Sequence, residues 1–244
     1  MRRLSLLAAA LAALAPGVVS AAERPNVVIV LVDDFGWGDP GCYGNTAVKT
    51  PNMDRLAKEG VRFTQGYVAA PICSPSRCGI VTGQFPGRWK VTSFMQAKAG
   101  NRACEMVDYL DPKAPSLPRV LKGAGYATAH IGKWHLGGLP RYGPLKSGYD
   151  HFWGFRWGSL DYFTHKYGIA STDTDDLWED DVKIHQVGYL TDLLGDRAVK
   201  QIEGYAKSRR PFFISLHFNA PHYPWEGPDD EQEAKRLTSL FHTD

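Results

Sequence analysis

Six consecutive residues, Val27-Val28-Ile29-Val30-Leu31-Val32, carry no polar side chain. Successive side chains of a strand point to opposite faces, so this run presents apolar groups on both. A strand of that kind belongs inside a largely parallel sheet with helices above and below. The rest of the chain supplies the helices. Thr50 as N-cap, Pro51 at the first helical position, Met53, Leu56 and Ala57 on one face and Gly60 as the stop predict the first. Val61 to Val68 then reads as extended. Ser116 caps another helix, with Leu117, Val120, Leu121 and Ala124 inward, and a strand follows over Tyr126 to Ile131. Leu190, Leu193, Leu194, Ala198, Ile202 and Tyr205 recur at helical spacing in a long helix opening at Thr191, and Pro211 to Phe218 is a further buried strand. Alternating strand and helix predicts an α/β sandwich with a mostly parallel sheet.

The first residues are set aside from the fold. Met1-Arg2-Arg3 is basic, Leu4 to Val19 is apolar and Val19-Ser20-Ala21 offers small residues for cleavage, so residues 1–22 read as a signal peptide and the remainder as exported, periplasmic or secreted. The apolar run is short and broken by Pro16, which argues against a membrane anchor. About 220 residues remain, enough for one large domain, read as 23–244. The net charge of +2 and the lack of a basic run give no case for nucleic acid. Four cysteines, Cys42, Cys73, Cys78 and Cys104, are compatible in an exported protein with disulfides, Cys73–Cys78 and Cys78–Cys104 among them.

Cys73 has a second reading. Pro75 suits the first helical position and Gly83 the left-handed stop, so Pro75 to Thr82 reads as a short helix with Cys73 at its positive end. Free N–H groups there favour a tetrahedral anion, and Arg77 one turn in adds a fork of donors. In open parallel sheets ligands gather at the carboxyl ends of strands. Asp33 and Asp34 follow the first strand, Lys133 and His135 the second, and His222 the last. Adjacent carboxylates at a strand end are costly to bury without a cation, which makes Asp33 and Asp34 metal candidates, with a helix cap and a solvated acid as the plainer alternative. His130 and His217 lie inside apolar strand patterns and read as structural. The segment from Arg141 to Asp181 shows no clean period and reads as a long surface excursion. Its acids, Asp173, Asp175, Asp176, Glu179, Asp180 and Asp181, lack the spacing of a calcium loop and read as a solvated turn. Trp153, Trp157, Tyr162 and Phe163 suit either a sugar-stacking wall or the excursion's own core.

Cys73-Ser74-Pro75-Ser76-Arg77 with Thr82-Gly83 resembles the first signature of the sulfatases, and Gly125-Tyr126-Ala127-Thr128-Ala129-His130-Ile131-Gly132-Lys133-Trp134-His135 resembles the second. The resemblance extends from about Arg24 to the last residue. It implies an alkaline-phosphatase-like sandwich, conversion of Cys73 to formylglycine by a formylglycine-generating enzyme, and a metal held by Asp33, Asp34 and the modified Cys73. Calcium is the ion implied, with magnesium as the alternative. By the same resemblance Arg77 holds the formylglycine hydroxyl and the sulfate, Lys133 bridges sulfate and nucleophile, His135 is the base for release, and His222 contacts the ester oxygen. The implied activity is hydrolysis of a sulfated sugar or an aryl sulfate.

The modification has a chemical rationale. A serine or cysteine nucleophile ends as a stable sulfated adduct, whereas an aldehyde hydrate bears two hydroxyls: one attacks sulfur, and deprotonation of the other expels sulfate. The resemblance also implies further metal ligands and a further substrate lysine that this sequence does not contain, so the chain reads as an N-terminal catalytic portion, truncated at the C-terminus, with an unpaired sheet edge and exposed apolar faces. Two alternatives stand beside hydrolysis of sulfate esters. One is an inactive, sulfatase-like anion-binding chain; the other is a phosphonate or phosphate ester hydrolase with the same nucleophile.

Overall fold

The computed structural model describes residues 24–167 and 175–236. The proposed leader, Asp173 of the acidic segment and the last eight positions of the sequence lie outside them. A six-stranded sheet runs in the order β1-β6-β2-β3-β4-β5. Its strands are β1 (Val27–Leu31), β2 (Ala127–Lys133), β3 (His151–Phe155), β4 (Trp178–Glu179), β5 (Val182–Lys183) and β6 (Phe212–His217). The first four in spatial order, β1, β6, β2 and β3, are parallel, and β4 and β5 close that edge antiparallel. The helices are α1 (Pro51–Glu59), α2 (Cys73–Thr82), α3 (Lys98–Ala103), α4 (Leu117–Gly123), α5 (Leu190–Ser208) and α6 (Glu231–Arg236). The expected α/β architecture with a mostly parallel sheet is the one found.

Parity along β6 separates two cores. Phe212, Ile214 and Leu216 pack with Ala127, Ala129 and Ile131 against Leu190, Leu194, Ala198 and Tyr205 of α5. Phe213, on the opposite face, packs with Cys78 and Val81 of α2, Tyr126, Trp134 and Tyr149. The apolar stripe predicted for α5 is therefore core, as its spacing requires.

β1 departs from expectation. Val27 and Ile29 pack into the α2-side core, but Val28 and Val30 are 42% and 55% exposed. Val28 pairs with Ile214 in register, so it shares the face that α5 covers. α5 lies over β2 and β6, and no described element continues that cover across β1. The run is thus half-buried on one face and open on the other, at a sheet edge. Other predicted faces also open outward. α1 buries none of its residues, leaving Leu56 72% exposed, and Val120 of α4 is exposed while Leu117 and Leu121 pack inward. The stretch Val61 to Val68 forms no strand.

The Arg141 to Asp181 excursion holds more structure than its aperiodic sequence suggested. It contains β3, whose Phe152, Trp153 and Phe155 are buried, and β4. The acidic stretch is no solvated turn at Asp176. That carboxylate is fully buried, ion-pairs with Arg156 Nε at 2.8 Å and accepts from the backbone N–H of Trp157 and the indole of Trp178. Trp153 and Tyr162 are likewise core, and Phe163 packs against it, which leaves only Trp157 of the four aromatics lining a cavity.

All four cysteines are free. Cys73 and Cys78 lie five residues apart on one helix, about 140° around its axis, so they face away from each other and do not bridge. Burial lifts the Cys78 thiol to about 11, which leaves it inert.

Candidate active site

α2 begins two residues earlier than its proline predicts, at Cys73, with Ile72 as N-cap and Gly83 closing it in the left-handed conformation. Cys73 therefore stands in the first turn, half-buried, and Arg77 lies one turn on along the same face. Arg77 brings this turn of the helix to the carboxyl ends of β2 and β6, at Lys133 and His217.

Asp33 follows β1 and is buried between two cations. Lys133 Nζ, at the end of β2 and fully buried, donates to Asp33 Oδ2, and Arg77 Nη2 lies 3.2 Å from Oδ1. Burial pushes the Asp33 carboxyl up, but the Arg77 and Lys133 charges outweigh it and hold the group below its ordinary 3.8. Burial pulls the Lys133 ammonium down while Asp33 opposes that shift.

Arg77 is oriented from behind. Its Nη1 donates to Lys133 O at 2.8 Å and lies 2.9 Å from His217 Nδ1. Burial and the neighbouring His130 hold His217 well below its usual pKa, so the ring is neutral and Nδ1 accepts from the guanidinium. Arg77 Nε and Nη2 are buried without a hydrogen-bond acceptor. Nε thus has no acceptor, while Nη2 faces the Asp33 carboxylate at 3.2 Å without a hydrogen bond to it.

Two site residues adopt the left-handed backbone that side chains rarely take, Asp34 at φ 58° and His135 at φ 53°, each just past a strand end. Such positions concentrate at functional sites. His135 Nε2 donates to Met95 O at 2.9 Å, which leaves Nδ1 as the lone-pair nitrogen, buried and without a partner. Burial, with the Lys133 charge adding to it, drops this imidazole to about 3, so it is neutral. Gly158 fits against the same ring: a Cβ there would stand 2.5 Å from His135 Cε1. His222 donates Nδ1–H to Tyr223 O at 2.7 Å and turns Nε2 toward Asp34, 3.8 Å away.

A cleft of about 640 Å³ is lined by Cys73, Asp34, His135, Gly158, His222 and Tyr223. A neighbouring hollow reaches Asp33, Cys73 and Arg77. Every residue singled out from the sequence, Asp33, Asp34, Cys73, Arg77, Lys133, His135 and His222, borders this region or is bonded to a residue that does. The donor set tests less well for a metal. Asp33 and Asp34 offer hard oxygens, yet Asp33 is already paired with two cations. Among the described residues no three His, Cys, Asp or Glu side chains converge to hold an ion. The carboxylates form at most a half-site.

Sequence reasoning missed His217, which was read as core, and Glu226, which was not read at all. Glu226 Oε2 accepts from Tyr162 N at 2.9 Å, and the Tyr162 hydroxyl donates to His222 O, so Glu226 buttresses the His222 loop. Burial, then the nearby Asp161, raises its carboxyl to about 7. A carboxyl raised on folding contributes stability that is present below its unfolded value of 4.5 and is lost as pH rises through about 7. Glu226→Gln is therefore expected to raise the thermal midpoint at pH 8, with the gain vanishing near pH 4.5. An unchanged midpoint at pH 8 would count against the raised pKa.

Residues 25–239 match the family model described as Sulfatase. The chain is 34% identical over 222 residues to the N-acetylgalactosamine-6-sulfatase of Canis lupus familiaris, a match covering 85% of this chain and 42% of that protein. It is 34% identical over 222 residues to the N-acetylglucosamine-6-O-sulfatase of Bacteroides thetaiotaomicron, covering 91% of this chain and 35% of the other. Among solved structures, Ps i-CgsB in complex with k-i-k-neocarrahexaose aligns with a TM-score of 0.76 at 30% identity, over 86% of this chain and 48% of that one. A structure in complex with its substrate D-glucosamine-2-N,6-O-disulfate aligns at 0.63 and 31% identity, over 83% and 36%. The chain thus spans less than half the length of these relatives.

Proposed function

The chain belongs to the sulfatase family, and from that membership we propose that it carries the nucleophile and anion-binding cations for hydrolysis of sulfate esters, with a sulfated glycan as the substrate class. The carrying observation is convergence: Cys73 lines one cleft with His135 and His222, directly over the Asp33, Arg77 and Lys133 cluster. The glycan class is supported by the relatives, named for sulfated amino sugars or solved with sulfated saccharides.

Maturation by a formylglycine-generating enzyme would make position 73 an aldehyde, whose hydrate supplies two hydroxyls on one carbon. The chain's own residues do the rest. Arg77, whose Nε–H has no acceptor and whose Nη2 lies beside Asp33, holds the sulfate and the residue 73 hydroxyl, and the Lys133 ammonium offsets the ester's charge as it grows on the oxygens. His135 takes a proton at Nδ1, its free lone pair. His222 gives a proton from Nε2 to the leaving oxygen; burial and the Lys133 charge lower its pKa, which makes the imidazolium a ready donor, and Asp34, 3.8 Å away, partly opposes that shift. Asp33 and Asp34 are proposed as this chain's ligands to calcium, or to magnesium in its place, with residue 73 adjoining them. Export to the periplasm or the exterior completes the proposal. Among the described residues no helix is long and apolar enough to cross a membrane.

One observation favours a second reading, an anion-binding chain that does not turn over: Asp33 is already neutralised by Lys133 and Arg77. Mass spectrometry of the peptide carrying Cys73, after coexpression with a formylglycine-generating enzyme, together with assay on an aryl sulfate, separates the two. The expected result is a thiol replaced by an aldehyde and measurable release of sulfate. An aldehyde without any turnover of the sulfate, with and without added calcium, would remove sulfate ester hydrolysis and leave the anion-binding chain or the phosphonate or phosphate ester hydrolase.

A further inference from the structure

A second cavity, of about 440 Å³, opens beside the cleft that holds Cys73. The two share Met95, Gln96, Ala97 and His135, so they adjoin along these residues. The far wall is cationic and aromatic, built from Lys98, Arg141 and Arg156 with Tyr109, Tyr142 and Trp157.

The charge there is a local excess. The whole chain carries only +2, yet with Arg156 held by Asp176 behind the wall, two cations, Lys98 and Arg141, stand in this lining against a single carboxylate, Asp108, which accepts a hydrogen bond from Asn101 Nδ2. Lys98 and Arg141 are exposed, and neither pairs with a carboxylate among the described residues. Arg156 is fixed instead of free. Its Nε meets buried Asp176 at 2.8 Å, and its guanidinium lies over the rings of Trp157 and Trp178, at 5.3 and 5.2 Å. The aromatic groups are also pre-set: Tyr109 stacks on Tyr142 with ring centroids 3.5 Å apart, and Arg141 lies over the Tyr142 ring. Rigid aromatic faces suit the apolar face of a sugar ring, and forked guanidinium donors suit a planar or tetrahedral anion.

We propose that this cavity is a subsite for the sugar adjoining the one whose sulfate ester is cleaved, and that Arg141 and Lys98 select a neighbour bearing its own anionic group. The proposal rests on the sulfatase reading of the first cleft and deepens it: the substrate is an acidic oligosaccharide entering across His135, with its second anion held on the far wall. A carboxylate and a second sulfate share the required chemistry.

The test is calorimetric titration of the full chain, which needs no turnover. The probes are a 6-O-sulfated N-acetylhexosamine linked to a hexuronate, the same disaccharide with the uronate reduced to a neutral sugar, and the form with a sulfated neighbour. Each acidic form is expected to bind about tenfold tighter than the neutral one, the scale of one charge-assisted contact. Lys98→Gln with Arg141→Gln should bring that ratio close to one while the thermal midpoint stays put, since both side chains are exposed. A preference for only one acidic form assigns the anion. Equal affinities for all three probes, or binding of none, overturn the proposal. Aryl sulfate hydrolysis, read on the same preparation, tests the first cleft separately: selectivity without hydrolysis removes the esterase reading, and hydrolysis without selectivity removes the subsite.

Discussion

Cys73→Ala is expected to lower aryl sulfate hydrolysis by about 10⁴-fold or more, the scale on which removal of a covalent nucleophile acts. Its thermal midpoint should barely move. The side chain is half-buried at the first turn of α2, and alanine is at least as good a helix former there. Cys73→Ser sharpens the expectation, because a serine keeps a hydroxyl at the same place but has only one. Attack would leave a sulfated serine with no second hydroxyl to expel it, so a burst of at most one equivalent followed by arrest is the expected trace. Cys78→Ala is the contrasting control. That thiol is fully buried in the α2-side core, so its loss should cost about 1 kcal/mol of stability without touching the chemistry. Wild-type turnover by Cys73→Ala would remove the nucleophile from position 73 and with it the mechanism.

The strand ends were the most legible part of the molecule. Asp33, Lys133 and His222 follow apolar runs, and a parallel sheet brings the carboxyl ends of such runs together whatever lies between them. What covers each face was not legible. Val28 and Val30 look no different in sequence from Phe212 or Ile214, but burial depends on whether α5 reaches them, and that is a tertiary fact. The start of α2 was misplaced for a related reason. Proline is acceptable anywhere in the first turn, where N–H groups have no intrahelical acceptor, so Pro75 at the third position marks a helix start only to within a residue or two. β3 was hidden because His151-Phe152-Trp153-Gly154-Phe155 is too short and too aromatic to show a period, and Gly154, at φ 153°, weakens the strand signal further.

One overlooked signal lay in β2 and β6. Thr128 and His130 alternate with apolar residues, as do Ser215 and His217, and the register places all four on the α2 side of the sheet. Polar groups at period two inside buried strands announce a bonded network rather than plain core. Here it is the His130, His217 and Arg77 assembly, backed by the Tyr149 to Ser215 hydrogen bond. Its consequence is functional: the guanidinium that would meet the sulfate is aimed from the sheet, not from the cleft.

Lys133→Met should carry the largest combined effect. The lysine is fully buried, and its partner Asp33 is only 7% exposed, so the substitution leaves a buried carboxylate with Arg77 alone, at 3.2 Å and without a hydrogen bond between them. Breaking a buried pair in this way costs about 3–5 kcal/mol, which for a domain of this size is roughly a 10 °C fall in thermal midpoint. Loss of the same ammonium from the sulfate should lower kcat by about 10²–10³-fold. A structural role alone would give the first effect without the second, so the two are read separately, with activity measured well below the lowered midpoint. Adding Asp33→Asn to Lys133→Met leaves no carboxylate, but it strands the buried Arg77 guanidinium without a counterion. The double variant should therefore recover little stability and none of the activity, while its stability loss should fall short of the sum of the two single losses, because the Asp33–Lys133 pair can be broken only once. Additive stability losses in the double variant would show that Asp33 and Lys133 do not act on each other, and the electrostatic account of the cleft floor would fall with them.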